Sequence, residues 1–213
     1  MKEIEILTII ISKILKILTI KNQDFQNSKT MNLEMILHII RIKILIKNLV
    51  ILQARMSSSR LPGKVLKEVN GMPILYWHIQ RIKQAKKVDK IIVATSTDKS
   101  DDKLVDFLLK NKIPFYRGSL TNVFSRYLEI AREIQPKVIV RLTADCPLFM
   151  PNLLDEMLEK FEYLECDYYS NIDPPSFPDG LDIEIMKTET LVVLSKFDLN
   201  IQELEHVTLG IRN

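Results

Sequence analysis

The sequence predicts an α/β fold: a mostly parallel sheet with helices on both faces. Two observations carry this. Short, continuously apolar runs rich in β-branched residues recur from residue 48 onward (NLVIL, KIIVAT, KVIVRLT), as strands buried on both faces require. Between them lie amphipathic stretches of about a dozen residues, the length of a crossover helix.

The elements follow in order. Asn48 to Leu52 is the first strand. Met72 to Ala85 has a helical apolar period through Ile74, Leu75, His78, Ile79 and Ile82, with Pro73 in its first turn. Lys90 to Thr95 is the second strand. Ser100 to Lys110 is a helix with Ser100 as N-cap and acidic residues in its first turn. Ile113 to Tyr116 is a short strand, and Asn122 to Ile134 an amphipathic helix that ends before Pro136. Lys137 to Thr143 is the fourth strand. Pro151 to Leu164 is a helix opened by proline and buried through Leu154, Met157, Leu158 and Phe161. The rest changes character. Asp167 to Ile172 and Leu181 to Ile185, joined by a Pro-rich loop, read as extra strands forming a lid or wall. Alternation in Leu181-Asp182-Ile183-Glu184-Ile185 puts the two acids on one face.

Residues 1–47 differ from all this. They contain no Gly, Pro, Ala or Val and are dominated by Ile, Leu, Lys, Asn and Thr. Such bias argues for an extension outside the fold, with the domain proper at 48–213. Lys13 and Lys16 interrupt the apolar run from Ile4 to Ile20, which suits a membrane span poorly. No small-residue cleavage site follows it. Membrane contact by this segment is not expected; a helix packed on the domain and a peripheral anchor are the alternatives.

Composition excludes other classes. A net charge of +3 is too small to argue for nucleic-acid binding, so no nucleic-acid partner is expected. Two cysteines, Cys146 and Cys166, and three histidines at unrelated spacings make neither a disulfide framework nor a zinc site. The cysteines read as buried thiols in a reducing, cytoplasmic compartment.

The chemistry concentrates after the first strand, in Gln53-Ala54-Arg55-Met56-Ser57-Ser58-Ser59-Arg60-Leu61-Pro62-Gly63-Lys64. Arg55, Arg60 and Lys64 fall within ten residues without an acid among them. Small residues such as Ser59 and Gly63 let backbone N–H groups approach an anion. The position, a carboxyl end of a buried strand, is where open α/β sheets bind ligands. The loop therefore reads as a phosphate cradle, although neither GxxxxGK[ST] nor GxGxxG is present. A solvated basic loop is the bland alternative.

A second constellation, Arg141-Leu142-Thr143-Ala144-Asp145-Cys146-Pro147, places Asp145 at the end of the fourth strand, on the same rim. Taken alone, Asp145 also fits a turn or cap. Thr95 and Ser96 end the second strand, where hydroxyl and backbone groups either read a base or cap the next helix.

The Ala-Arg-x-x-Ser-x-Arg-Leu-Pro-Gly-Lys string resembles the signature of the cytidylyltransferases that activate acidic sugars, and in particular the spore coat polysaccharide biosynthesis protein F group. The resemblance runs from Asn48 to the end of the chain. It implies a Rossmann-like nucleotidyltransferase fold and a reaction in which a sugar or sugar acid takes CMP from CTP, releasing pyrophosphate, for surface polysaccharide or glycoconjugate synthesis. It implies that Arg55, Arg60 and Lys64 hold the phosphates and that Asp145 binds Mg²⁺. Gln53, Ala54, Ser59, Gly63, Thr95 and Ser96 would line the nucleotide. Gly118 to Tyr127 resembles an element that usually reads Asp-Val-Leu-x-Arg-Tyr, with Asn122 in place of the Asp. Asp182 and Glu184, in Pro-Asp-Gly-Leu-Asp-Ile-Glu, and Glu205 and His206, in Glu-His-Val-Thr, match the acceptor-side elements. The resemblance allows a homodimer. In the family a Val-Asp-x-Pro-Glu-Asp type string with a second Mg²⁺ carboxylate follows Glu-His-Val-Thr, and this sequence reaches Asn213 before it. The expectation is an enzyme that turns over weakly in this form; the alternative is a non-catalytic nucleotide-binding module.

Overall fold

The computed structural model describes residues 46–58 and 60–212. The expected extension lies outside them except for its last two residues. Ile46 is buried, and the Lys47 carbonyl accepts from Val138 N at 2.8 Å, so these two already pack with the domain.

A six-stranded sheet forms the centre. Its strands are β1 (Asn48–Gln53), β4 (Lys90–Ser96), β5 (Phe115–Gly118), β6 (Val138–Thr143), β7 (Tyr168–Ser170) and β8 (Glu184–Lys187), in the order β5-β4-β1-β6-β8-β7. β1 runs parallel to β4 and β6, and β4 parallel to β5; β8 is antiparallel to β6 and β7. The C-terminal strands expected to form a lid or wall instead extend this sheet. A small antiparallel hairpin, β2 (Glu68–Val69) with β3 (Met72–Pro73), stands apart. It turns through Asn70 and Gly71, both at positive φ.

Period-two alternation with both faces covered explains β1. Val50 and Leu52 enter one core, with Leu75, Ile79, Leu104, Leu108, Leu154 and Phe161. Leu49 and Ile51 enter the other, with Phe124, Tyr127, Ile130 and Leu191. The first face is therefore covered by α1 (Ile74–Ile82), α2 (Asp102–Lys110) and α4 (Pro151–Leu164), the second by α3 (Val123–Ile134) and α5 (Thr188–Leu194). Two short helices follow, α6 (Ile201–His206) and α7 (Leu209–Arg212).

Element starts differ from expectation where side-chain caps decide. Asp98, not Ser100, opens the second helical region: its carboxylate accepts from Ser100 N at 2.8 Å, a 3-10 turn spans Lys99–Asp101, and α2 begins at Asp102. Asn122 caps α3, accepting from Ser125 N at 2.8 Å, a cap that Asp would also supply. Pro73 ends the hairpin and precedes α1 rather than entering its first turn. Asn200 and Glu203 form a reciprocal capping box that starts α6.

Candidate functional site

The parallel strands β1, β4 and β6 end side by side, and the loops that follow form one rim. The pairing continues past them: Ala54 N donates to Ala94 O at 3.1 Å and Ala144 N to Gln53 O at 2.9 Å. The cradle and the Asp145 loop are thereby fixed against each other by backbone hydrogen bonds.

The cradle turns on Met56. Its carbonyl accepts from Ser58 N at 2.9 Å and Gly63 N at 2.8 Å, which closes the loop. Gly63 sits at φ +70, and a Cβ there would meet Met56 Cε at 3.3 Å, so conformation and space both favour glycine. Lys64 then opens a 3-10 turn and its Nζ contacts Asp145 Oδ2. This contact joins the cradle to the carboxylate of the fourth predicted strand, the juxtaposition that the sequence called for. Burial works against the Asp145 charge, but Lys64 and Thr143 outweigh it and hold the carboxyl below the usual carboxylate range.

The other candidates divide. Arg55 Nη2 lies 3.5 Å from Glu205 Oε1, so the end of α6 leans over the cradle. Arg60 and His206 are exposed, Ala54 is buried, and Ser59 lies outside the described residues. Asp182 is exposed at the rim. Its pKa is raised, by burial first and then by the charges of Asp179, Glu184 and Asp145, so an acidic patch surrounds it. The half-buried Cys146, between these acids and Thr143, is pushed up to about 11, by burial first.

Four candidates have side-chain partners within the domain. Thr95 and Ser96 are fully buried, and both hydroxyls donate to the Asp101 carboxylate. Their side chains are occupied internally rather than offered to a base. Asp182 precedes β8, whereas Glu184 opens it and is 2% exposed. One of its oxygens pairs with Arg141 and the other accepts from Tyr168 OH at 2.8 Å and from Thr208 Oγ1. It sits behind the rim, with no free oxygen to meet an acceptor. Gln53 is half-buried, its Oε1 accepting from Arg141 Nη2 at 3.4 Å.

The sequence reading missed Asp101 and Arg126, both fully buried within reach of the cradle. Asp101 stood in the helix's first turn, where an acid is usually explained by the dipole. Arg126 lay in the quoted Asn122 to Tyr127 element without a role assigned.

For Mg²⁺, Asp145 offers a hard oxygen donor beside the cradle, while no cluster of three or more metal-ligating side chains exists among the described residues. That suits an ion carried with a polyphosphate, which uses one or two protein carboxylates. A cavity of about 1190 Å³ opens at the opposite strand edge, beside Asn48, Val138 and Lys187; no candidate residue lines it. No helix among the described residues is long and apolar enough to cross a membrane.

Comparison with known proteins agrees with this geometry. The spore coat polysaccharide biosynthesis protein SpsF of Bacillus subtilis (strain 168) is 36% identical over 170 residues, which cover 78% of this chain and 70% of that protein. The 3-deoxy-manno-octulosonate cytidylyltransferase of Anaeromyxobacter sp. (strain K) is 30% identical over 115 residues, 53% of this chain but 46% of the relative, so the match spans about half of that enzyme. Among solved structures, a cytidylyltransferase from Leptospira borgpetersenii serovar Hardjo-bovis (strain JB197) superposes with a TM-score of 0.74 at 33% identity, over 78% of this chain and 71% of that one. The profile of the cytidylyltransferase family matches residues 49–213, and the chain belongs to that family.

Proposed function

We propose that the protein transfers CMP from CTP to a hydroxyl of a sugar or sugar acid, releasing pyrophosphate, in the synthesis of a surface polysaccharide or glycoconjugate. The contact between Lys64 and Asp145 carries this reading, because it joins a cationic, glycine-containing turn to a carboxylate at one strand-end rim. A triphosphate needs both: fixed cations for its phosphate oxygens, and an acid to hold the accompanying metal. Family membership and the likeness to SpsF support the choice of nucleotide and pathway class.

In this reading the acceptor hydroxyl attacks the α-phosphorus and gives up its proton to water. The bond from that phosphorus to the bridging oxygen breaks, and the electron pair leaves with pyrophosphate. Arg55, Arg60 and Lys64 stabilise the charge that gathers on the leaving group, Arg through paired contacts and Lys as a point charge. Asp145 would hold Mg²⁺, whose chemistry is to polarise phosphate oxygens. Lys64 pairs with Asp145 and Arg55 faces Glu205, so phosphate oxygens would compete with these acids for both cations. Asp182, Glu205 and His206 stand on the acceptor side of the rim. Two cysteines without a disulfide fit a cytoplasmic setting.

The test is a thermal-shift and calorimetric screen of the four ribonucleoside triphosphates with and without Mg²⁺, followed by pyrophosphate release with a panel of sugar acids. CTP should raise the melting temperature more than the others, because a ligand bound only by the folded state stabilises it by mass action. Lys64→Ala should weaken CTP binding about 100-fold, the loss of a charge-assisted contact. Equal shifts with all four nucleotides would defeat the assignment of the base. CTP binding without pyrophosphate release would favour a binding module.

A further inference from the structure

Asp101 is fully buried, and both of its oxygens are occupied by donors from two separate segments. Oδ2 accepts from Thr95 Oγ1 at 3.0 Å, from Ser96 N at 3.0 Å and from Ser96 Oγ, all at the end of β4. Oδ1 accepts from Met56 N at 2.7 Å, in the middle of the cradle. No Lys or Arg among the described residues forms an ion pair with it. Its charge is instead balanced by these donors and by the nearby buried guanidinium of Arg126. Burial pushes that guanidinium down, and Asp101 works the other way. Arg126 in turn donates to Ser119 O at 2.6 Å and Leu120 O at 2.8 Å, while its Nη1 is buried with no partner among the described residues.

An acid needed only to finish β4 or to start α2 would be satisfied by Thr95 and Ser96. The bond to Met56, 45 residues away in sequence, serves neither purpose. Met56 is also the residue on which the cradle closes, since its carbonyl accepts from Ser58 and Gly63. Fixing its amide fixes the peptide plane between Arg55 and Met56. That plane holds the Arg55 carbonyl and the Cα atoms of Arg55 and Met56, from which the Arg55 side chain and the closing Met56 turn both start.

We propose that Asp101 is a positioning residue for nucleotide binding, acting through the Met56 amide to hold the cationic loop in its phosphate-ready shape. The proposal rests on the nucleotide reading given above. Its physical basis is preorganisation: loop donors that must rotate into place on binding lose affinity to that reordering, and a carboxylate that holds them beforehand removes the cost. A charged acceptor suits the task, because its hydrogen bonds are stronger than those of a neutral group.

The experiment pairs residue-resolved amide hydrogen exchange with CTP titration, for the parent, Asp101→Asn and Asp89→Asn. The asparagine keeps one carbonyl acceptor but turns an NH₂ toward donors, so either Met56 or the β4 end loses its partner. Asp101→Asn should speed exchange at Met56 about tenfold or more and weaken CTP binding about 10- to 100-fold. Asp89 likewise accepts from two backbone amides, Lys47 N and Asn48 N at 2.8 Å, but at the start of β1, so Asp89→Asn should leave CTP affinity within about threefold of the parent. A merely structural Asp101 would make the two variants alike, and that result overturns the proposal. So does Asp101→Asn binding CTP as the parent does. If Asp101→Asn fails to fold, the parent decides: its ligand-free Met56 amide must exchange as slowly as that of Leu52 in β1, and exchange as fast as exposed Ser57 overturns the proposal. A parent that holds Met56 rigid yet binds no CTP would fail the nucleotide reading, not the positioning of the loop.

Discussion

His78 shows what one side chain costs at this site. It lies on α1, 1% exposed, with its ring centroid 5.3 Å from that of Phe149. Neither ring nitrogen has a partner among the described residues. Burial lowers its pKa to about 4, against a partial upward pull from the Asp145 charge. The folded value thus lies below the unfolded one of about 6.5. Well above pH 6.5 the residue is neutral in both states and adds no pH dependence. As pH falls from 6.5 towards 4, the unfolded chain takes a proton that the folded one refuses, and stability drops. At pH 5 the loss should be about 2 kcal/mol from this residue alone. Urea unfolding of the parent and of His78→Phe at pH 7.5 and 5.0 measures it. The phenylalanine variant should lose clearly less stability between the two pH values, and an identical loss in both would mean that other groups govern the acid side. The sequence placed His78 on the apolar face of its helix, but not beneath the Asp145 loop, because that proximity depends on how α1 and the loop after β6 pack.

At the scale of elements, the apolar runs were readable because β1, β4 and β6 are buried on both faces, which makes them continuous in sequence. The addition of β7 and β8 was not. Their alternation was visible, yet it could not tell a lid from a sheet extension, since that depends on pairing with β6 across the Pro-rich loop. Asn70-Gly71 between short apolar residues was a readable hairpin signal that the reading passed over. Glu184 is the most instructive case. Alternation placed it with Asp182, but Thr208 and Tyr168 close over it, and Thr208 comes from the far end of the chain. The resulting node joins Arg141 of β6, Glu184 of β8 and Thr208 beside Val207. Val207 is a buried β-branched residue held at φ 54, a conformation such residues rarely adopt. Glu184→Gln should therefore destabilise the protein by about 3 kcal/mol, since it leaves the Arg141 guanidinium buried without its counter-charge. Asp167→Ala, which breaks the exposed pair with Lys187, should cost less than about 1 kcal/mol. Denaturant midpoints compare the two directly, and similar costs would mean that the node contributes no more than a surface pair.

The domain as a whole is ordered from its centre outward. The strand order puts β1 between β4 and β6, and Leu49, Val50, Ile51 and Leu52 are all fully buried. Helices cover both faces of this centre, so its amides meet water only when the packing on both sides opens. β7 sits at the sheet edge, only three residues long and half-buried. The β2–β3 hairpin is smaller still, with Glu68 and Val69 exposed. Protection should therefore fall into tiers. Amides of Leu49 to Leu52 should exchange only through global unfolding, with a free energy of about 5 to 15 kcal/mol. Those of Tyr168 to Ser170 and of the hairpin should exchange through local openings that cost several kcal/mol less. Native-state hydrogen exchange across a range of low denaturant concentrations distinguishes them, because global exchange steepens with denaturant while local exchange does not. The cradle adds a functional point to this gradient. It leaves directly from β1, the most protected strand, and is tied back to β4 through Asp101, so its Met56 amide should join the slow tier although it belongs to a loop. If instead β7 exchanged as slowly as β1, the sheet would unfold as a single unit, and the rim would gain no special rigidity from standing over the centre.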